Sequence, residues 1–199
     1  MSAAVTVEAF LHPDLSLLRD AGMAKEDVEH SARVAGKALE IADRIAAASG
    51  TAMDRELIGR GALLHDLGKA RTHAIEHGKT GAEMGRERGL PQSVTDIMEK
   101  HIRGGMSAAE AAELGLPARD YTLRSLEERV VIYADRLVDI IWDGVVEIAA
   151  EKQAEDDFVA ILETNAQYGK NAATMQRYLG YHQEIQGLMG GAAQGRTSS

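Results

Sequence analysis

The stretch Leu63-Leu64-His65-Asp66-Leu67-Gly68-Lys69 places an imidazole, a carboxylate and an ammonium group close together. Upstream, Leu57, Ile58, Gly61 and Ala62 recur with His65 at helical spacing. This predicts an amphipathic helix over residues 54–66, closed by Gly68 in the left-handed cap position. His65 falls on the inward face with Ile58 and Gly61, and Asp66 projects about 100° round the helix from it. Two adjacent inward-leaning ligands can both reach one ion between them, and a divalent cation supplies the charge that a buried carboxylate needs. Lys69, just past the helix end, is placed to meet an anionic substrate. A His-Asp pair by itself equally suits a capped helix end with a satisfied histidine, so the remaining chain has to decide.

Further imidazoles and carboxylates recur on other predicted helices. A long helix over residues 25–49, stopped by Gly50, carries His30 in register with Val34, Ala38, Ile41 and Ile45. His77 opens another helix, whose Gly81, Ala82 and Gly85 admit a close neighbouring backbone. A helix from about Ser93 presents Val94, Ile97, Met98 and then His101 before Gly104-Gly105. Ser107 and Glu110 form a capping box for a short helix ending at Gly115 and Pro117. A second box, Ser125 with Glu128, begins what the pattern makes the longest helix, with Val131, Ala134, Val138, Ile141, Val145 and Ile148 as its apolar stripe. Asp135 lies at the edge of that stripe, while Arg136, Asp139 and Asp143 read as solvated or paired surface groups.

Residues 158–168 and 172–189 supply two closing helices. Residues 1–14, with His12-Pro13, read as a lead-in segment, and residues 190–199 as a flexible tail. The expectation is a single all-α domain over residues 15–189, a bundle of about seven to nine helices.

Composition agrees. The 199 residues are 45% hydrophobic but only 4% aromatic, so the core is expected to consist of Ala, Leu, Ile, Val and Met. The formal net charge of -9 argues against duplex nucleic acid or an anionic membrane surface as the main partner. It leaves room for a small phosphorylated metabolite at a metal, with few other cations expected nearby. The chain has no cysteine, which excludes disulfides, iron–sulfur clusters and thiolate zinc sites. With no apolar run near about 20 residues and no basic-then-apolar amino terminus, the chain reads as cytoplasmic.

His30, His65 with Asp66, His77, His101 and Asp135 thus stand on five predicted helices as inward polar groups. Leaving them unpaired in one core would cost several kcal/mol, which a shared metal centre removes. Imidazole plus carboxylate suits iron, manganese, cobalt, nickel or zinc.

The ordered set resembles the HD-domain superfamily of metal-dependent phosphohydrolases over about residues 28–140. The resemblance rests on Val28-Glu29-His30-Ser31-Ala32-Arg33, on Leu63 through Lys69, on His77 followed by Gly81-Ala82-Glu83, on His101, and on Tyr133-Ala134-Asp135. Lys100-His101-Ile102-Arg103-Gly104-Gly105-Met106 and the segments after it are similar to a mainly archaeal branch near the iron-dependent cyclic phosphodiesterase of methanopterin biosynthesis. The resemblance implies that His30, His65, Asp66 and Asp135 form a core metal site. It also implies that His77 and His101 hold a second ion, with Asp66 bridging. Six side chains are indeed too many for one ion that must keep an open position for water. Metal-activated water would attack phosphorus, and Lys69 and Arg103 would bind phosphate oxygens.

The expected activity is hydrolysis of a phosphomonoester or cyclic phosphodiester of a small nucleotide- or pterin-like metabolite. Two other classes compete: a mixed-valent di-iron oxygenase of the same superfamily, and a non-catalytic nucleotide sensor. No tyrosine stands just before His30, where one oxygenase branch places a lid residue. His12 and His182 read as structural or surface groups, His73 as a supporting neighbour of Lys69, and Met84, Met98 and Met106 as core filler.

Overall fold

The computed structural model describes residues 7–190; the first six residues of the expected lead-in, and all but the first residue of the expected 190–199 tail, lie outside the described residues. Among the described residues there are eleven α-helices, three 3-10 turns and no strand. The first turn, Ala9–Leu11, runs directly into α1 (His12–Asp20), so the His12-Pro13 stretch, expected as part of a lead-in segment, is helical and begins the bundle. Pro13 lies in the first turn, where its missing N–H removes no intrahelical bond, and Leu11 and Leu18 anchor the segment in the core.

The central element is α2 (Lys25–Ser49), the longest helix at 25 residues, with Gly50 as its left-handed cap. It packs on α3 (Arg55–Leu64) and on α7 (Leu126–Trp142). The helix expected to be longest, α7, has 17 residues; the chain turns at Gly144, which leaves Val145 half exposed instead of extending the apolar stripe. α4 (His77–Glu87) packs against α5 (Gln92–Lys100) and the 3-10 turn Leu67–Ala70, and α5 in turn packs against α3. The short α6 (Ala108–Glu113) covers a small satellite core that includes Met106, Ala111 and Tyr121.

The C-terminal part divides more finely than its sequence pattern predicts, into α8 (Glu151–Asp156), α9 (Phe158–Thr164), α10 (Ala166–Gly169) and α11 (Ala172–Leu188). Eight of the eleven helices have seven residues or more, in keeping with the expected seven to nine, and α8 and α10 are short pieces that the sequence pattern does not show. Aromatic residues, few as they are, concentrate here: Tyr133, Phe158, Tyr168 and Tyr178 are fully buried. The aliphatic core expected from composition therefore holds for α2, α3 and α5 but not where α7 meets α9 and α11. His182 belongs to this aromatic packing: it stacks on Phe158 with ring centroids 4.9 Å apart, and its Nδ1 accepts from the Tyr133 hydroxyl at 2.9 Å.

Helix starts follow the sequence signals. Asp54 accepts from the Leu57 N–H at 2.9 Å, and both predicted capping boxes form, each such cap contributing about 1 kcal/mol. The glycine of the His-Asp segment acts differently from expectation. α3 ends at Leu64, and Gly68 lies inside the 3-10 turn without a left-handed backbone. Its role is close approach: a Cβ built there would stand 1.9 Å from the His77 carbonyl oxygen and 2.6 Å from the Gly81 nitrogen. Backbone atoms cannot yield as a flexible side chain would. Gly68→Ala is therefore expected to destabilise the fold by about 2–3 kcal/mol, the upper range for overpacking, which a urea titration followed by helicity would measure. An unchanged midpoint would refute this packing role.

Candidate metal centre

Five elements converge on one cluster. His30 comes from the second turn of α2, His65 caps the C-terminus of α3 and Asp66 follows it. His77 is the first residue of α4, His101 caps α5, and Asp135 projects from α7. Asp66 stands at the centre. Its Oδ2 lies 3.2 Å from His65 Nε2 and 3.8 Å from His30 Nε2; its Oδ1 lies 3.2 Å from His77 Nε2 and 3.5 Å from His101 Nε2. Asp135 Oδ1 completes the first group, 3.0 Å from His30 Nε2 and 3.4 Å from His65 Nε2. All six side chains singled out in the sequence as metal-binding are thus brought together.

Three of the imidazoles are oriented by the main chain. The Nδ1–H groups of His65, His77 and His101 donate to the carbonyls of Ala62, Ala74 and Met98 at 2.7, 2.8 and 2.7 Å. Each bond spans three residues back along the chain, at a helix terminus. With Nδ1 protonated, a neutral ring turns the Nε2 lone pair inward.

His77 Nε2 and His101 Nε2 then face each other at 2.9 Å. An ion about 2.1 Å from two imidazole nitrogens at right angles sets them about 3 Å apart. The donors accordingly fit divalent metal, and the His/Asp cluster is able to hold metal ions, its ligand atoms falling into three overlapping groups, His30–His65–Asp66, Asp66–His77–His101 and His30–Asp135–Asp139.

The electrostatics agree with a cation site. Burial alone would raise the Asp66 carboxyl, but His65, with His101 and His77, holds it well below the usual carboxylate range. Asp135 behaves likewise, burial being overcome by His65 and His30. Burial would lower the His65 imidazole, yet the Asp66 and Asp135 carboxylates push it well above its ordinary value. In the absence of metal these carboxylates therefore draw a proton onto His65, and a divalent cation competes for the same position. His101, buried and flanked by other imidazoles, is shifted down.

Lys69 Nζ lies 2.6 Å from Asp66 Oδ2 and 3.9 Å from Asp27 Oδ1. Burial tends to lower its pKa, but Asp66 and Asp135 raise it above the ordinary lysine value. His73 is exposed and donates to the other oxygen of Asp27 at 3.1 Å, which links it to Lys69 through one carboxylate. The cluster opens into a cleft of about 400 Å³ that Lys69 and Arg103 also line.

Sequence reasoning missed part of this cleft. Arg136, Asp139, Lys170 and Tyr178 line it too; Arg136 and Asp139 are paired with each other, as one of the two expected alternatives has it, but Arg136 is buried rather than at the surface and Asp139 is half-buried. Arg136 is buried because α7 is covered by α11 as well as by α2 and α3. Its guanidinium donates to Asp139 Oδ2 at 3.0 Å and to the Tyr178 hydroxyl at 3.2 Å. Burial and the neighbouring Asp135, opposed by Arg136, push the Asp139 carboxyl up to about 6. Asp139 follows Asp135 by one helical turn, a spacing that could have drawn attention to it. Nothing in the sequence pattern marks Lys170. The expectation of few cations near the site is corrected as well, since four line this one cleft.

The fold and the cluster together define a helical His/Asp metal-site protein, and the HD domain family matches residues 27–138. The chain belongs to the HD-domain family. An uncharacterized protein of Methanocaldococcus jannaschii is 39% identical over 88% of this chain and 96% of its own length. A tRNA (cytidine(56)-2'-O)-methyltransferase of Picrophilus torridus is 40% identical, over 44% of this chain and only 26% of that protein. Among solved structures, the HD domain of the L. monocytogenes phosphodiesterase PgpH in complex with cyclic-di-AMP shares the fold. Its TM-score is 0.56 at 18% identity, covering 94% of this chain and 100% of that one.

Proposed function

We propose that this protein is a metal-dependent phosphohydrolase acting on a small phosphorylated metabolite. The observation that carries the reading is the division of labour at Asp66: one oxygen faces His30 and His65, the other His77 and His101. A carboxylate so placed could serve two ions, one from each oxygen. His30, His65, Asp66 and Asp135 would hold one and Asp66, His77 and His101 the other, from among iron, manganese, cobalt, nickel and zinc. Ions bound there would supply Lewis acidity toward phosphate oxygens and an activated water.

The protein's own groups do the rest. Lys69 places a positive charge beside Asp66, where negative charge grows on the phosphoryl oxygens in the transition state. The Ala62, Ala74 and Met98 carbonyls keep their imidazoles in one tautomer, so that no rotation is needed when substrate arrives. Arg103 adds a further cation on the cleft wall. The substrate is a phosphomonoester or cyclic phosphodiester of a nucleotide- or pterin-like compound; the cyclic-di-AMP bound by PgpH is one member of that chemical range.

The test is a panel of phosphorylated metabolites assayed with each metal and after chelation. Phosphate release or ring opening that requires divalent metal supports the reading; inactivity on every phosphate ester with every metal removes it. A second expectation concerns metal count. His77→Ala or His101→Ala should lower metal content from near two ions toward one per chain, with helicity nearly unchanged. Wild-type protein that never holds more than one ion would remove the dinuclear assignment.

A further inference from the structure

Among the described residues, two residues other than glycine have a positive φ: Arg103 at φ 58, ψ 21, near the left-handed helical conformation, and Lys170 at φ 60, ψ -75, outside it but equally unfavourable for a residue with a Cβ. Both are cationic, and both line the cleft beside the metal cluster although they come from distant parts of the chain. A positive φ is unfavourable for any residue with a Cβ, and glycine would relax it. Sites that keep such strain tend to use the side chain it presents.

Arg136 shares this wall. It is nine-tenths buried, and its Nε finds no hydrogen-bond acceptor among the described residues. Lys69 is held by Asp66 and Arg136 partly by Asp139, whereas Arg103 and Lys170 have no salt-bridge partner among the described residues. Burial, followed by the nearby charges of Arg136 and Arg103, shifts the Lys170 amine below its ordinary value, with Asp139 opposing. Arg103 and Lys170, without a salt-bridge partner among the described residues, share a cleft wall with Arg136, which Asp139 alone pairs, and such a group of cations forms a receptor for an anion.

We propose that Arg103, Arg136 and Lys170 form a second anion subsite, which holds a phosphate of the substrate other than the one cleaved at the metal centre. The proposal rests on the phosphohydrolase reading and narrows it. The substrate class becomes a nucleotide-like metabolite with at least two separate phosphate groups, one at the metals and Lys69, the other on this wall. A cleft of about 400 Å³ falls within the usual range for a small-molecule site.

The test uses the full chain, as purified and after chelation, with adenosine 3′,5′-bisphosphate and the adenosine 3′- and 5′-monophosphates as probes in calorimetry. The bisphosphate should bind about tenfold or more tightly than either monophosphate, the effect of one added charge-assisted contact. Lys170→Ala and Lys170→Gly should remove most of that ratio, and Lys170→Arg should retain it. Lys170→Gly also relaxes the backbone, so weaker binding with an undiminished melting temperature would identify a ligand-binding role rather than a structural one. Lys152→Ala makes the same change in net charge at an exposed site and should leave the ratio alone.

A ratio near one in the wild type, an unchanged ratio in the Lys170 variants, or an equal loss in Lys152→Ala would each overturn the subsite. Turnover with manganese separates this proposal from the one beneath it. A preserved ratio without hydrolysis of any probe leaves the subsite standing and removes the hydrolase. Equal binding and equal hydrolysis of all three probes does the reverse.

Discussion

Protein carrying Asp66→Asn is expected to lose metal from both of the proposed positions, a larger effect than any single histidine substitution produces. Asn keeps the volume and hydrogen-bonding shape of the residue but removes the charge that faces four imidazoles and Lys69. Losing a group that merely supports a ligand costs about 10–100-fold in metal affinity; losing the shared carboxylate should exceed that at each position. Metal analysis after dialysis, with circular dichroism to confirm helicity, measures it directly. Metal content at the wild-type level would mean that the two groups of donors do not share Asp66. Retention of one ion would mean that one group is complete without it.

The second large effect is expected at Lys69. Lys69→Ala should lower kcat by about 10²–10³, corresponding to about 3–4 kcal/mol for one preorganised charged donor, while metal content stays intact. The structure strengthens the second half of this expectation. Lys69 competes with metal for Asp66 Oδ2 at 2.6 Å, so its removal should not weaken metal binding. Arg103, Arg136 and Lys170 line the same cleft and could take over part of the charge, which places the loss toward the lower end of the range. Turnover should also proceed unchanged without oxygen. Turnover that consumes oxygen in step with substrate would replace the hydrolase reading with the oxygenase one.

Half of the cluster was legible in the sequence by local rules, while His77, which only opens a helix, and Asp135, at the edge of a stripe, gained their place from the family resemblance. His30 falls in an unbroken apolar stripe on α2, and His65 and His101 continue the inward faces of α3 and α5 past their last turns. The cleft wall obeys no such rule. Arg136 is buried only because α11 covers a flank of α7 that looks polar, and Lys170 enters at a positive-φ position after the four-residue α10. Helical periodicity carries no information about either event. Gly68 shows a third limit: its identity marked a special backbone position, but the reason, the His77 carbonyl beside it, lies on another helix.

The carbonyls of Ala62, Ala74 and Met98 that orient three of the imidazoles are main-chain atoms, and this bears on how such a protein can diverge. No side-chain replacement at those three positions deletes the acceptor, provided the helix termini keep their path. The geometry of the centre is therefore insulated from ordinary sequence drift. Residues such as Lys170 and Arg103, which depend on their own side chains, have no such protection. Lineages that share the centre are free to exchange one substrate for another by changing the wall alone.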